Sequence, residues 1–308
     1  DYIQNNLLCD ESNLCDINPF KYHNYKFFPK NFDNKFLIYY IRYNYAKIID
    51  ILLTSKLIDP NTTISKYFTL LHYTFYFNLY EIYNLLISHP EIKLGENAFK
   101  CCSRLNRIIF NSPNKGIDFF NGVLNLPISN SLNTIGKYSF SLCSSLIEVS
   151  LPPTITSIKK GAFSCSSVES ISFPSSFIEF EKGWCKNTHK LTKITVDSNN
   201  RYLKQIDNKF LIGKSSKESK IFDILIFCVR NIQTGIIPNS IKIIKSFSFE
   251  NCTNIQNIDI PLSVLKIEKG AFKGCSSLTK IKMAQNCNVE MNTGNSSIWS
   301  FDWQIFFY

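Results

Sequence analysis

The sequence predicts an α+β repeat protein, a β-solenoid of short strands preceded by two helical hairpins. Two observations carry this: six copies of one apolar pattern between about residues 91 and 285, and a 34-residue internal shift within residues 36–94. A third is composition. The 308 residues are 44% hydrophobic and 14% aromatic, whereas disordered chains are poor in both classes.

In chain order, residues 1–35 hold Cys9, Cys15 and many aromatics, and read either as an irregular cap or as a degenerate helical unit. Residues 36–94 come next. Lys47-Ile48-Ile49-Asp50-Ile51-Leu52-Leu53 aligns with Glu81-Ile82-Tyr83-Asn84-Leu85-Leu86-Ile87, and the second run is preceded by Thr69-Leu70-Leu71-His72. This is similar to ankyrin repeats, whose period is about 33 and whose first helix opens Thr-Pro-Leu-His. Leu70 stands where that proline would be, and the first unit has Lys35-Phe36-Leu37-Ile38 in the same slot. The resemblance implies that His72 supports the start of its helix by hydrogen bonding. Two such units are too few to stand alone, so they are expected to cap the solenoid. Leu94 falls where the next unit needs an apolar residue, which leaves no room for a linker.

From residue 95 to 285 one pattern recurs. Counted from Phe140, Cys143, Leu146, Val149, Leu151 and Pro152 stand at offsets 3, 6, 9, 11 and 12. The same offsets run from Phe249 through Cys252, Ile255, Ile258 and Ile260 to Pro261, and from Phe272 through Cys275, Leu278 and Ile281 to Met283. Phe99, Cys102, Leu105, Ile108 and Phe110 make another copy, the copy at Phe163 lacks one residue, and a degenerate one has Cys185 and Thr188 in the Phe and Cys slots. Five residues before each Phe slot stand Leu94, Ile135, Ile158, Phe180, Ile244 and Ile267.

The alternation around each central Ile or Val is that of a short strand with two residues pointing inward. The proline after it cannot extend a ladder, so the chain turns. One unit cannot bury its own apolar face, whereas stacked units make a continuous core. Gly161-Ala162-Phe163, Gly270-Ala271-Phe272-Lys273-Gly274-Cys275-Ser276-Ser277-Leu278 and Ile260-Pro261-Leu262-Ser263-Val264 resemble the BspA-like leucine-rich repeats of bacterial and protist surface proteins. The resemblance implies a leucine-rich-repeat solenoid with a binding role. The chain departs from the pattern in two lengthened spacings, 41 residues from Phe99 to Phe140 and 64 from Cys185 to Phe249. They place inserts at about residues 111–131 and 197–235, and residues 286–308 remain as a tail. In the longer insert Phe210-Leu211-Ile212 and Ile224 to Val229 flank a polar run, which predicts a hairpin on the side of the solenoid.

Chemistry-bearing motifs are sparse. No dinucleotide, phosphate-loop, serine-hydrolase or zinc-protease signature appears, so the expectation is no enzyme, no cofactor and no metal, with an unrecognised catalytic site as a minor alternative. His23, His89 and His189 have no partner cluster in sequence. Cys102, Cys143, Cys252 and Cys275 share one slot with Thr188, which calls for a small buried side chain. Parallel side chains in stacked units give poor geometry for a Cys252–Cys275 disulfide. The Asn-x-Ser/Thr sequons at Asn61, Asn251 and Asn295 are expected by chance in so Asn-rich a chain. A net charge of +10 is spread along the whole length, which speaks against nucleic acid, whose binders gather Lys and Arg on one face. No apolar run reaches transmembrane length. The opening Asp1-Tyr2-Ile3-Gln4 has neither Met nor a signal pattern, as in a piece of a longer chain.

The outward strand positions are the better place to look for function: Arg107 and Ile109, Glu148 and Ser150, Ser170 and Ser172, Lys193 and Thr195, Asn257 and Asp259, Lys280 and Lys282. Stacking aligns them into two columns on one face. The face is mildly basic, which suits a protein partner better than a phosphate backbone. A merely solvated sheet surface fits the same residues. The family resemblance favours a surface adhesion or recognition protein, while the ankyrin-like part and the odd cysteine number favour an intracellular scaffold.

Overall fold

The computed structural model describes residues 34–64, 69–92, 94–111, 123–127, 132–286, 288–289 and 304–307. The expectations for residues 1–33, and for much of the first insert and the tail, lie outside the described residues.

Among the described residues four helices come first: α1 (Asn34–Arg42), α2 (Ala46–Thr54), α3 (Leu70–Tyr76) and α4 (Tyr80–Ile87). The links between α1 and α2 and between α3 and α4 are the same structure repeated 34 residues on. Asn44 and Asn78 both lie in the left-handed region, at φ 56° and 57°. Around them Tyr45 N–H donates to Tyr40 O at 2.8 Å and Leu79 N–H to Thr74 O at 2.9 Å. Asn visits this region more easily than other side chains because its amide bonds locally. Thr69 caps α3, its Oγ1 accepting the His72 N–H at 3.2 Å, as N-cap threonines do. The backbone N–H of His72 is thus held at the helix start, while its buried ring lies against the Asn97 backbone.

Beyond the helices the chain winds as a solenoid. Its long-strand side holds β1 (Arg107–Asn111), β2 (Val123–Pro127), β4 (Glu148–Ser150), β6 (Ser170–Phe173), β8 (Lys193–Val196), β13 (Asn257–Asp259), β15 (Lys280–Met283) and β17 (Gln304–Phe307). Its short-strand side holds β3 (Thr134–Ile135), β5 (Ser157–Ile158), β7 (Glu179–Phe180), β12 (Ile243–Ile244), β14 (Lys266–Ile267) and β16 (Asn288–Val289). Turns carrying the Phe and Cys slots close each rung. Successive rungs pair in parallel, Val149 beside Ile171 and Ile171 beside Ile194. The slots read from the sequence lie inside: Phe140, Leu146, Phe163, Val168, Leu191 and Phe249 are fully buried.

The Phe slots form a stack. Phe99 and Phe140 lie 5.5 Å apart and nearly parallel, Phe140 and Phe163 5.4 Å apart, and Phe249 and Phe272 4.8 Å apart. At the degenerate rung Trp184 meets Phe163 edge-on at 6.4 Å. Phe75 of α3 meets Phe99 edge-on at 5.9 Å, and Gly136 N–H donates to Leu94 O at 2.7 Å. The helices and the solenoid share one core.

The six turns read from the sequence each contain two left-handed residues, two before and two after the Phe slot. The first series is Asn97, Tyr138, Gly161, Gly183, Phe247 and Gly270, and the second is Cys101, Leu142, Cys165, Asn187, Asn251 and Gly274. This conformation lets the turn's N–H groups reach the next rung: Phe140 donates to Ala162 O at 2.8 Å and Leu142 to Ser164 O at 2.9 Å. The motif Gly270-Ala271-Phe272-Lys273-Gly274 thus has glycine at both places where an L side chain costs about 1–2 kcal/mol.

The longer insert differs from its expectation. It forms three strands, β9 (Leu203–Ile206), β10 (Phe210–Gly213) and β11 (Ile224–Cys228), with β11 paired in parallel to β12. It stands within the stack, not on its side. Phe210, Leu211, Leu225 and Phe227 are buried, and Cys228 N–H donates to Ser248 O at 2.9 Å as Phe249 N–H does to Ala271 O at 2.8 Å. The 64-residue spacing hides a further rung, in which the apolar run from Ile224 to Val229 supplies the core. The shorter insert adds β2 beside β1, Arg107 opposite Val123.

Candidate protein-binding face

The strand face is built by alternation. Ile108, Val149, Ile171 and Ile194 point inward and are buried, so their neighbours point out. Register places Arg107 beside Glu148, Glu148 beside Ser170 and Ser170 beside Lys193. A second column runs Ser150, Ser172, Thr195, and Ile109 lies opposite Asn125. Asn257 beside Lys280 and Asp259 beside Lys282 belong to another sheet, β13-β15-β17. The twelve expected positions therefore do not make one continuous face. They split into two groups where the rung after β8 has no long strand among the described residues.

Charge on the first group is mostly cancelled. Arg107 binds Glu148 at 2.7 Å with both side chains about half exposed, a pair that adds at most about 1 kcal/mol of stability. Its effect is to hold two long side chains flat on the sheet. Thr195 Oγ1 donates to Ser172 Oγ at 2.7 Å. What remains is a small-residue strip of Ser150, Ser172 and Thr195 flanked by Lys193. Such a strip admits close approach by another surface and lacks the dense positive charge a phosphate backbone calls for.

His72 is buried beneath the first rung beside the Asn97 backbone, and burial drives its pKa down to about 3. His89 Nδ1 accepts the Glu91 N–H at 3.2 Å in a turn, and His189 is exposed. His23 and Asn295 lie outside the described residues. Cys143 Sγ donates to Phe99 O at 3.1 Å and Cys275 Sγ to Phe249 O at 3.0 Å. In these rungs the Cys slot ties the turn to a carbonyl of the rung before it. Burial raises the thiol pKa at Cys102, Cys143 and Cys275, which makes them poor nucleophiles. Cys101 and Cys102 divide into a partly exposed and a buried thiol. Among the described residues no His/Cys/Asp/Glu group could hold a metal ion, and no helix is long and apolar enough to cross a membrane.

Sequence reasoning missed Arg230. It is buried directly after the insert's last strand, and its guanidinium reaches Thr188 O at 3.2 Å and Ser248 O at 3.1 Å while lying 4.2 Å over the Phe227 ring. It replaces the backbone contacts that two regular rungs would make with each other. Beside it burial lifts the Cys185 thiol to about 12. The signal was a lone arginine closing an apolar run inside a spacing already known to be too long.

The sequence model of the family described as BspA type leucine rich repeat region matches this chain in six copies, over residues 58–121, 118–215 and 220–293. No curated protein matches it significantly. Among solved structures, a leucine rich cell surface protein from Faecalibacterium prausnitzii is 20% identical, with 68% of this chain and 78% of that one covered and a TM-score of 0.38. A leucine-rich repeat protein from Eubacterium ventriosum is 22% identical over 54% of this chain and 55% of its own length, TM-score 0.40. The pneumococcal vaccine antigen PcpA is 15% identical over 66% and 62%, TM-score 0.44. The chain thus spans less than two thirds of the latter two.

Proposed function

The chain belongs to the BspA-type leucine-rich repeat family, and from this we propose that it is a non-enzymatic binding protein that recognises a protein partner. The first group of the strand face is the contact surface: Arg107, Ile109, Glu148, Ser150, Ser170, Ser172, Lys193 and Thr195. The observation that carries this reading is the register of Ser150, Ser172 and Thr195, small side chains aligned across three rungs on a rigid sheet. Asn257, Asp259, Lys280 and Lys282 extend the contact for a partner that spans the insert. The helical part, with its 34-residue structural repeat, is an ankyrin-like cap that adds its own side to the stack. Adhesion or recognition at a cell surface accords with the family's occurrence in surface proteins.

An intracellular scaffold is the second reading, favoured by the free thiols at Cys101, Cys102, Cys143, Cys165, Cys185, Cys228, Cys252 and Cys275, since oxidising compartments promote pairing. Protease shaving and antibody labelling of intact cells separate the two readings. The binding face is tested by the triple change Ser150→Arg, Ser172→Arg and Thr195→Arg, compared with Ser175→Arg at an exposed turn. Loss of partner binding in the triple variant alone supports the face. Equal binding by both variants removes it.

A further inference from the structure

Among the described residues the short-strand side is broken once, between β7 and the insert. A groove of about 420 Å³ opens there, within the roughly 300–1,000 Å³ range of ligand clefts. One wall is β7, the last strand of the sheet β3-β5-β7. One rung earlier, Thr156 O and Ile158 O accept the N–H groups of Ile178 and Glu181 at 2.8 and 2.9 Å. The corresponding carbonyls here, Ile178 O just before β7 and Phe180 O within it, accept no hydrogen bond from any of the described residues. The opposite wall is the insert, where β9 begins at Leu203, β10 ends at Gly213 and β11 contributes Ile224 and Ile226; Trp184 also lines the groove.

The rim selects for charge. Glu181 is bound by Lys159 at 3.3 Å and by the Lys160 N–H at 3.0 Å, and Glu268 by Lys245 at 2.9 Å. Those carboxylates are occupied. Lys182 and Lys217 are exposed, with no acidic partner among the described residues, and Lys214 lies 5.2 Å over the Phe222 ring. Against these three cations stands Glu179 alone without a basic partner among the described residues.

We propose that this groove binds an extended acidic peptide segment as an added strand on β7. A strand edge beside apolar walls is a template for another strand. Main-chain N–H groups of the peptide would bond Ile178 O and Phe180 O, as the next rung does elsewhere in the solenoid. Alternate side chains would enter the apolar wall or meet the lysines of the rim, the division of labour in strand-addition complexes. The site is separate from the long-strand face.

The test uses the full chain and fluorescence anisotropy with a dye-labelled six-residue peptide of alternating valine and glutamate. The comparison peptides are the valine–lysine counterpart and the same acidic peptide N-methylated at the amides that would face β7. Saturable binding of the acidic peptide is expected, weakened about tenfold or more by N-methylation. The double variant Lys182→Glu and Lys217→Glu, at exposed positions that leave the core intact, should lose a similar factor and turn its preference to the basic peptide. No saturation by about 1 mM, equal binding of the N-methylated peptide, or equal binding of the basic peptide overturns the proposal. A dimer in sedimentation that the double variant dissolves would assign the edge to a second copy of the chain, and also overturns it.

Discussion

Leu142 and Gly274 occupy the same left-handed position two residues after the Phe slot, at φ 62° and 74°, and exchanging their chemistry should move stability in opposite directions. An L residue there costs about 1–2 kcal/mol, while glycine carries about 0.5–1 kcal/mol more backbone entropy to lose. Leu142 is 45% exposed, so little burial is forfeited, and Leu142→Gly should stabilise its turn by about 0.5–1 kcal/mol. Gly274→Ala acquires the φ penalty, and its new Cβ collides with Asn251 Oδ1. Its expected cost is about 1–2 kcal/mol.

A solenoid opens locally, so a local probe suits the question better than a melting temperature. Each position adjoins a buried thiol of its own turn, Cys143 and Cys275. Under native conditions alkylation of a buried thiol reports the opening of its surroundings, about tenfold in rate for 1.4 kcal/mol. Leu142→Gly should slow labelling of Cys143 about two- to fivefold, and Gly274→Ala should speed that of Cys275 about five- to thirtyfold. The exposed Cys165 is the internal standard. Both variants shifting in one direction would refute the claim that backbone conformation sets the residue preference of this slot.

Three further perturbations probe the core, a buried histidine and the helical cap. Phe140→Ala should cost about 3–5 kcal/mol in urea titrations, since the ring is fully buried between Phe99 and Phe163, whereas the outward Ser150→Ala should stay within about 0.5 kcal/mol; equal effects would mean the strand register is wrong. His72 has an ordinary pKa of 6.5 and a folded value of about 3, so only the unfolded chain takes up its proton between those limits. Stability should fall by about 1.4 kcal/mol per pH unit as pH drops from about 6.5, and His72→Gln should flatten urea midpoints measured between pH 7 and 5; an unchanged slope would place the loss elsewhere. Residues 1–94 expressed alone should aggregate or unfold without cooperativity, because Phe75 and Leu94 contribute to a core completed by Phe99 and the first rungs; a sharp thermal transition of that fragment would show two independent domains.

The regular rungs were legible because their slots demand one kind of side chain: buried, apolar and repeated at fixed offsets. Ile171 and Val168 could be placed inward from sequence because a slip by one residue would expose every neighbour. The outward columns followed from the same alternation. Their interruption did not, because it depends on how the insert packs. Phe210, Leu211 and Ile212 read as a strand in either case, and sequence does not say whether that strand lies on a surface or replaces a rung. The short-strand edge at β7 was equally hidden, since main-chain carbonyls leave no mark in the residue pattern. Glycine and asparagine in the turns were visible as letters, yet their purpose appears only when Tyr138 and Phe247 are found in the same backbone conformation without them.

The insert also explains why this solenoid is more than a uniform rod. A stack of identical rungs has one long face and no grooves, because each edge is satisfied by the next rung. Here the degenerate rung at Trp184 and Cys185 is succeeded by a three-stranded meander whose β11 rejoins the stack at β12. Continuity of the core is kept by large groups, Trp184 against Phe227 at 5.9 Å and Arg230 bridging Thr188 and Ser248. Asn200 secures the entry to the meander, its amide donating to Pro174 O at 2.7 Å and Phe177 O at 3.0 Å while its Oδ1 accepts the Leu203 N–H at 2.8 Å. A segment anchored at both ends by buried polar groups does not behave as a loose surface loop. It fixes the spacing between two half-solenoids, and so fixes both the break in the long-strand face and the opening beside β7.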